Sequence, residues 1–527
     1  MAEADFPSRA GVNGHGPAPM GREALAHLLA GQLGGQPPAQ PLPAVPPRPG
    51  RPPGPGAAGG AGPAAVPPLA GAPAAVLPIA WEVIEALQGE VSAKLTAQDP
   101  ERTLAEPDRR ALARSLVHAA VADWATTYAH DHAPLSQEDE VRIASAVYDA
   151  MFRGGRLQSL LDEDGVEDVM VDGLTAHVEY FDKPRRTIEK VADSHDELIT
   201  WVNRMARQSG QGERALTRAT PMVGFRMPDG SRVTASVLTS RPSVVIRKHR
   251  ILQHGMGDLV QWQSINPLLE RFLVACVKAR MNLLVVGDMG AGKTSLLRAL
   301  GREIPASERV VTLESDRELY LDEPGPRPGA ITFAFEARQS NGERAAGDRL
   351  AGEVTISDMF ATALRYNATR VIVGEVRSTE IVPMLQAMSA GGSGSMCTLH
   401  VRRPHAVVSR LVQLCAEAGL PLDAAHYLIA SALDVVVYLT YLDETAIGGR
   451  RHRFVSHIYE IDDVVGEAGR PALTELFAPV PGEPRAVYQH MPSFIDALER
   501  TGLIHRSWLA KDPHTWWGQP LQLEDRP

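Results

Sequence analysis

A chain of 527 residues has room for two to three domains, and its hydrophobic share of 44% is ordinary for a globular protein with sizeable cores. Its net charge of −10, from 53 basic and 63 acidic side chains, argues against nucleic acid as the main partner, because nucleic-acid binders usually carry a basic field. The three cysteines show no C-x-x-C spacing and no apolar stretch approaches the ~20 residues that span a bilayer, so we expect a cytoplasmic protein that reaches a membrane only through a partner.

Residues 1–78 are dominated by alanine, proline and glycine and predict a disordered arm, because they contain too few large apolar groups to offset the cost of ordering. Residues 79–154 have apolar side chains at helical spacing and predict a helical subdomain. Ser136 and Asp139 form a capping-box pattern at the start of its third helix. The apolar positions of the three helices are Ile84, Leu87, Val91 and Leu95, then Leu112, Leu116 and Trp124, then Val141, Ile143, Val147 and Phe152.

Short alternating runs separated by turn residues follow at 169–171, 177–180 and 233–237, with a helical run near 198–205. This mixture predicts an α+β domain over residues 155–250. The polar stretch 251–263 contains two glycines and is interpreted as a hinge linker to the next domain.

A glycine-rich loop is the most informative segment of the chain. Residues 283–286 predict a buried strand, residues 287–294 read Gly-Asp-Met-Gly-Ala-Gly-Lys-Thr, and residues 295–300 predict a helix. Such loops cradle phosphates with backbone N–H groups, and the helix N-terminus adds a favourable dipole. Lys293 would reach the β- and γ-phosphates of ATP, and Thr294 would bind Mg2+. The predicted nucleotide-binding residues are Gly287, Gly290, Ala291, Gly292, Lys293, Thr294 and Ser295.

Three further segments place polar side chains at the ends of predicted strands. Residues 310–313 predict a strand that ends in Glu314, and residues 370–373 predict a strand followed by Gly374 and Glu375. A third strand-like segment, 394–400, ends in His400. Because the carboxyl ends of parallel strands meet at the ligand crevice of an α/β sheet, we expect these side chains to lie together.

These four segments together resemble the Walker A, Asp-box, Walker B and His-box signatures of the secretion-traffic ATPases, in particular the CpaF-type or TadA-type ATPases of Tad/Flp pilus assembly and related type II and type IV secretion machines. The resemblance covers about residues 155–440. It implies an α/β fold with a RecA-like P-loop ATPase domain at 264–466, preceded by a PAS-like α+β domain. It also implies a homo-hexamer at the inner face of the cell membrane that hydrolyses ATP with Mg2+ and pushes on an integral-membrane platform protein.

The resemblance also assigns roles to individual residues. Lys293 would hold phosphate, Thr294 and Glu375 would hold Mg2+, Glu314 would polarise the attacking water, and His400 would sense the γ-phosphate. Phosphoryl transfer also calls for an arginine, and the candidates are Arg232, Arg247 and Arg338. Whether the arginine acts within its own subunit or across a subunit boundary is left open by the sequence.

Two other functions stay open at this stage. Ser315 stands where the family has the aspartate of a Glu-Asp pair, which allows a nucleotide-binding scaffold or regulator with weak hydrolysis. Related ring ATPases serve conjugation, so a DNA-transfer ATPase is the second alternative, although the acidic net charge does not favour it. The tail 467–527 contains Trp508, Trp516 and Trp517, which we expect to pack back onto the protein's own core.

Overall fold

The computed structural model describes residues 80–181, 183–209, 215–248, 254–325, 329–338, 352–465, 469–509 and 516–523. The predicted disordered arm, 1–78, lies outside these residues. The described chain divides into two compact units. We call the unit formed by 80–254, 441–453 and 521–523 the N-terminal unit, and the unit formed by 255–440 and 454–520 the phosphate-loop unit.

The N-terminal unit begins with three helices that share one apolar core. Ile84, Leu87, Val91 and Leu95 are buried as predicted, and the Asp139 amide donates to Ser136 Oγ at 3.1 Å, which confirms the cap. Val141 was predicted to face the core but is 43% exposed. It precedes the buried Ile143 by two residues, which places it about 200° around the helix from Ile143. The helices are α1 (Trp81–Gln98), α2 (Glu106–Tyr128) and α3 (Gln137–Phe152).

A six-stranded antiparallel sheet forms the second part of this unit. Its strand order is β3-β2-β1-β6-β5-β4, and its buried side chains share a core with one long helix, α5. The mixture of strands and helix confirms the α+β character predicted from the sequence. The elements are α4 (Gln158–Leu161), β1 (Val166–Asp172), β2 (Thr175–Tyr180), β3 (Arg186–Ile188), α5 (His195–Gln208), β4 (Met222–Arg226), β5 (Arg232–Ser236) and β6 (Ser243–Arg247).

The phosphate-loop unit is built on a nine-stranded sheet of order β15-β14-β13-β12-β7-β11-β10-β8-β9. The six strands from β12 to β9 are parallel, and β14 pairs antiparallel with β13 and β15. The strands are β7 (Leu283–Gly287), β8 (Arg309–Glu314), β9 (Ile331–Glu336), β10 (Arg370–Val376), β11 (Met396–His400), β12 (Val435–Asp443), β13 (Arg451–Val465), β14 (Pro471–Val480) and β15 (Glu483–Tyr488).

Helices connect the parallel strands of this sheet, which makes the unit an α/β fold. Residues 256–261, inside the predicted hinge linker, form a helix whose Met256 and Leu259 are buried. No helix within the described residues is long and apolar enough to cross a membrane. The helices are α6 (Met256–Gln261), α7 (Pro267–Lys278), α8 (Lys293–Gly301), α9 (Ile356–Arg365), α10 (Ile381–Ser389), α11 (Val407–Glu417), α12 (Leu422–Ala432), α13 (Ile495–Glu499) and α14 (Arg506–Leu509).

The sheet continues past residue 466, where the sequence placed the end of the ATPase domain. Strands β14 and β15 extend it, and Trp517 is buried against β15, with its indole N–H donating to the Ala486 carbonyl at 2.7 Å. The Arg485 guanidinium lies 4.2 Å from the Trp517 ring centre. This part of the tail therefore packs onto its own core, as expected for Trp517.

Candidate active site

The phosphate loop connects the buried central strand β7 to helix α8. Gly290 and Gly292 have φ angles of 74° and 91°, a left-handed region that side chains disfavour, and Gly292 is the N-cap of α8. Left-handed residues within such a loop turn successive backbone N–H groups toward one concave side, and concave surfaces of this kind bind anions. The predicted segment from Gly287 to Ser295 thus forms the strand, loop and helix start that the sequence indicates.

Lys293 is buried at the first position of α8. Its ammonium group donates to the Asp288 carbonyl at 2.8 Å and lies 3.1 Å from His400 Nδ1. Burial lowers the pKa of Lys293 to about 8, against the opposing effect of nearby Glu375, Asp288 and Glu318. Within the described part of the chain, the atoms that accept from this buried cation are neutral ones.

His400 links Lys293 to Glu375. An ammonium group only donates, so His400 Nδ1 accepts, and the proton sits on Nε2, 3.2 Å from Glu375 Oε1. Burial and the Lys293 charge lower the pKa of His400, in agreement with this neutral tautomer. The other Glu375 oxygen accepts from Arg377 at 2.6 Å. The structure therefore brings three of the predicted site residues into one hydrogen-bonded chain.

Glu314 ends β8 and is only 2% exposed. Its Oε1 accepts from the backbone N–H groups of Glu318 and Leu319, each at 2.9 Å. Its Oε2 is buried and makes no hydrogen bond within the described residues. Burial, assisted by the Glu318 charge, raises the pKa of Glu314 to about 7, although the two backbone donors and Arg298 lower it. The carboxylate is thus fixed on one side and available on the other.

Gly374 makes room for Glu314 at the end of β10. A Cβ atom at position 374 would lie 3.0 Å from Glu314 Cγ and 3.2 Å from its Oε1. The space that a side chain at position 374 would need is filled by Glu314. Glu314 and Glu375 both stand at the carboxyl ends of neighbouring strands, since β8 pairs with β10.

The three arginine candidates lie on other elements than the residues described above. Arg232 and Arg247 lie opposite each other on β5 and β6 of the N-terminal unit, where Arg247 forms a two-bond ion pair with Asp168 at 2.9 and 3.2 Å. Arg338 follows the edge strand β9 and donates to the Gly352 carbonyl at 2.7 Å. Their roles toward a nucleotide stay predictions.

Sequence reasoning missed several residues that shape the site. Glu380 accepts from the Arg377 and Ser378 amides and caps the turn after β10. The Thr398 hydroxyl donates to the Gly374 carbonyl at 2.7 Å and so links the neighbouring strands β11 and β10. Arg298 donates to the carbonyl of Glu318, in the segment that follows Glu314. The sequence signal that could have identified Arg298 is its position among the apolar residues of the helix that follows the phosphate loop.

Comparison with known proteins identifies the protein family. A family model described as type II/IV secretion system protein matches residues 175–474. PtlH, a type IV secretion system protein of Bordetella pertussis, is 33% identical over 275 residues, covering 47% of this chain and 77% of PtlH. TrbB, a conjugal transfer protein of Rhizobium radiobacter, is 27% identical over 244 residues, covering 45% and 68%.

Among solved structures, the Legionella pneumophila ATPase DotB is 19% identical, with 60% of this chain and 81% of DotB covered and a TM-score of 0.41. Family membership rests on the sequence matches, since the family model spans more than half of the chain and PtlH is matched over most of its length. The chain belongs to the type II/IV secretion system protein family.

Proposed function

We propose that this chain is an ATP-hydrolysing, hexameric motor that powers a Tad/Flp-type pilus or a related type II/IV secretion machine at the cytoplasmic face of the inner membrane. The observation that carries the proposal is the arrangement at the carboxyl ends of neighbouring strands, where Lys293, His400 and Glu375 form a hydrogen-bonded chain. The Glu314 carboxylate ends a strand of the same sheet, and its Oε2 makes no hydrogen bond within the described residues. Phosphoryl transfer depends on positioning and charge neutralisation, and these are the side chains that supply both.

The residues present fit ATP and Mg2+. Thr294 and Glu375 would hold the metal, which supplies neutralisation of phosphate charge when bound. Lys293 would exchange the Asp288 carbonyl and His400 for phosphate oxygens, and the released imidazole would face the same oxygens. Glu314 Oε2 has no partner among the described residues and would accept a proton from the attacking water. A pKa of about 7 suits that task at neutral pH.

The proposal extends to architecture and partners. The α+β part of the N-terminal unit would act as the PAS-like domain, with domain boundaries near 154 and 250 as the sequence predicts. The membrane would be reached through an integral-membrane platform protein, with no direct role for nucleic acid. A conjugation-type ATPase is the second candidate, because TrbB carries the name conjugal transfer protein.

Phosphate release from Mg·ATP by the full chain, measured across protein concentrations, tests the motor. We expect turnover that rises steeply with concentration, because active sites completed by neighbours need the ring, and that vanishes in Lys293→Ala and Glu375→Gln. Arg410→Met, on a helix outside the site, is the matched control and should keep wild-type turnover. Tight ATP binding without turnover at any concentration, with and without lipid and platform protein, would overturn the motor in favour of a scaffold.

A further inference from the structure

Helix α8 buries a second cation, Arg298, five residues after the phosphate-loop lysine. Its side chain is only 4% exposed. Burying a guanidinium group is unfavourable unless acceptors and opposite charges surround it, so the partners of Arg298 indicate its role. The ionisable groups that act on Arg298 are Glu318, Glu314, Arg302 and Tyr320, and Glu314 is the carboxylate proposed to act on the attacking water.

The connection from Arg298 to Glu314 runs through one peptide group. Arg298 Nη2 donates to the carbonyl oxygen of Glu318. The N–H of that same peptide group belongs to Leu319 and donates to Glu314 Oε1 at 2.9 Å. A donor on the carbonyl side polarises a peptide and strengthens its N–H as a donor, so the two hydrogen bonds reinforce each other.

We propose that Arg298 is a positioning residue for Glu314, acting through the 318–319 peptide group to fix Oε1 and leave Oε2 free for the attacking water. The inference deepens the proposed function and rests on it. Because Arg298 lies on the helix that begins with Lys293, it also ties the water-activating carboxylate to the element that binds phosphate. Movement of α8 on nucleotide binding would therefore be transmitted to Glu314.

The charge of Arg298 gives the proposal a readout that a packing role would not share. The charged groups facing Glu314 are Glu318, which raises the Glu314 pKa, and Arg298, which lowers it. Loss of the Arg298 charge should raise that pKa further and move the acidic limb of the pH profile upward. Loss of packing alone would leave the limb where it is.

The test compares Arg298→Met and Arg298→Lys in the full chain, with Arg410→Met as control. Arg298→Met should lower kcat about tenfold at pH 7, leave ATP affinity within about twofold, and raise the acidic limb of kcat/KM against pH by about half a pH unit or more. Arg298→Lys keeps a positive charge and a hydrogen-bond donor, so the acidic limb of its kcat/KM profile should return toward the wild-type pH. Unchanged kcat and pH profile in a folded Arg298→Met protein would overturn the inference.

A 13C-carboxyl NMR titration, with Glu314 assigned by its loss in Glu314→Gln, separates this inference from the proposed function. If the wild type does not hydrolyse ATP, the proposed motor function is wrong, but the titration still tests whether Arg298 acts on Glu314. An upward shift of the Glu314 titration in Arg298→Met supports the link between the two side chains. An identical titration in wild type and Arg298→Met refutes it.

Discussion

Glycine at position 374 gives the Glu314 carboxylate its place, and adding one carbon there should displace it. In Gly374→Ala the new Cβ would lie 3.0 Å from Glu314 Cγ, tighter than nine in ten real Cβ contacts, so the Glu314 side chain would have to shift by a few tenths of an ångström. We expect kcat to fall about tenfold or more, since catalytic groups tolerate little misplacement, while ATP affinity stays within a few-fold. Single-turnover hydrolysis and nucleotide binding measure the two effects.

The matched control for this substitution is Gly89→Ala, because a Cβ there meets no atom within 4 Å. Gly89 lies inside α1, where alanine is favoured over glycine, so activity should be unchanged. Equal kcat in Gly374→Ala and wild type would contradict the tight packing of Glu314.

The pH dependence of turnover should reflect the titration of two buried groups, Glu314 and Lys293. Burial raises the Glu314 pKa to about 7 and lowers the Lys293 pKa to about 8. The base must be ionised and the lysine protonated, so kcat/KM of the wild type should rise with pH through about 7 and fall above about 8. A profile that is flat from pH 6 to pH 9 would contradict this assignment of roles.

Stability should change with pH in the opposite sense. The folded chain holds the Glu314 proton more tightly than the unfolded chain, in which the pKa is near 4.5, so the free energy of unfolding falls as pH rises from 4.5 to about 7. The slope should be reduced in Glu314→Gln, which cannot titrate. Thermal unfolding across this pH range compares the two proteins.

At the scale of elements, an ion cluster joins the amino ends of the strands that position the site. Arg370 on β10 is fully buried and bonds both oxygens of Glu308 at 2.8 and 2.5 Å, and the carbonyls of Val277 and Gly394 accept from its other nitrogen. Arg280 donates to the same carboxylate at 2.6 Å. Breaking one partner of a buried pair leaves an uncompensated charge.

We therefore expect Glu308→Gln to destabilise β8 and β10 by about 3 kcal/mol, because Arg370 keeps its charge and loses its counter-ion. Hydrogen exchange of amides in β10 should speed up by about a hundredfold, since it reports local opening. Glu417→Gln removes a half-exposed partner of Arg410 at 3.9 Å and should change protection little. Unchanged protection in Glu308→Gln would show that the cluster adds no stability.

The sequence was sufficient for the site where the information is local. A buried strand, a glycine-rich loop and a helix start predict the phosphate loop, and strand ends predict Glu314, Glu375 and His400. The contact between Glu314 and Gly374 depends on β8 lying beside β10, and the Lys293–His400 contact depends on β11 lying beside β7. Sequence order does not give such non-local pairing. For the same reason the extension of the sheet by β14 and β15 was missed.

At the scale of the whole molecule, the sheet order bears on how Arg338 can act. Four strand spacings separate β9 from β7 in the order β7-β11-β10-β8-β9. At about 4.8 Å per spacing this is about 19 Å, too far for the Arg338 side chain to reach phosphates held by its own loop. A catalytic role for Arg338 therefore requires a neighbouring subunit in the proposed ring.

Mixing two inactive variants tests that requirement. Lys293→Ala lacks the phosphate-binding lysine and Arg338→Ala lacks the arginine, and each alone should be inactive. In mixed rings, a site formed by the loop of an Arg338→Ala subunit and the arginine of a Lys293→Ala neighbour is intact. Random assembly of equal amounts should restore up to about a quarter of wild-type turnover per site, because half of the loops and half of their neighbours are intact.

The control mixture combines Lys293→Ala with Glu375→Gln, whose altered residues belong to the same site of the same subunit. No site in that mixture is complete, so phosphate release should stay at background, and the difference between the two mixtures isolates the contribution of the neighbour. Wild-type turnover by Arg338→Ala alone would remove Arg338 from the mechanism. An inactive Arg338→Ala that the Lys293→Ala chain fails to rescue would place its effect within one subunit.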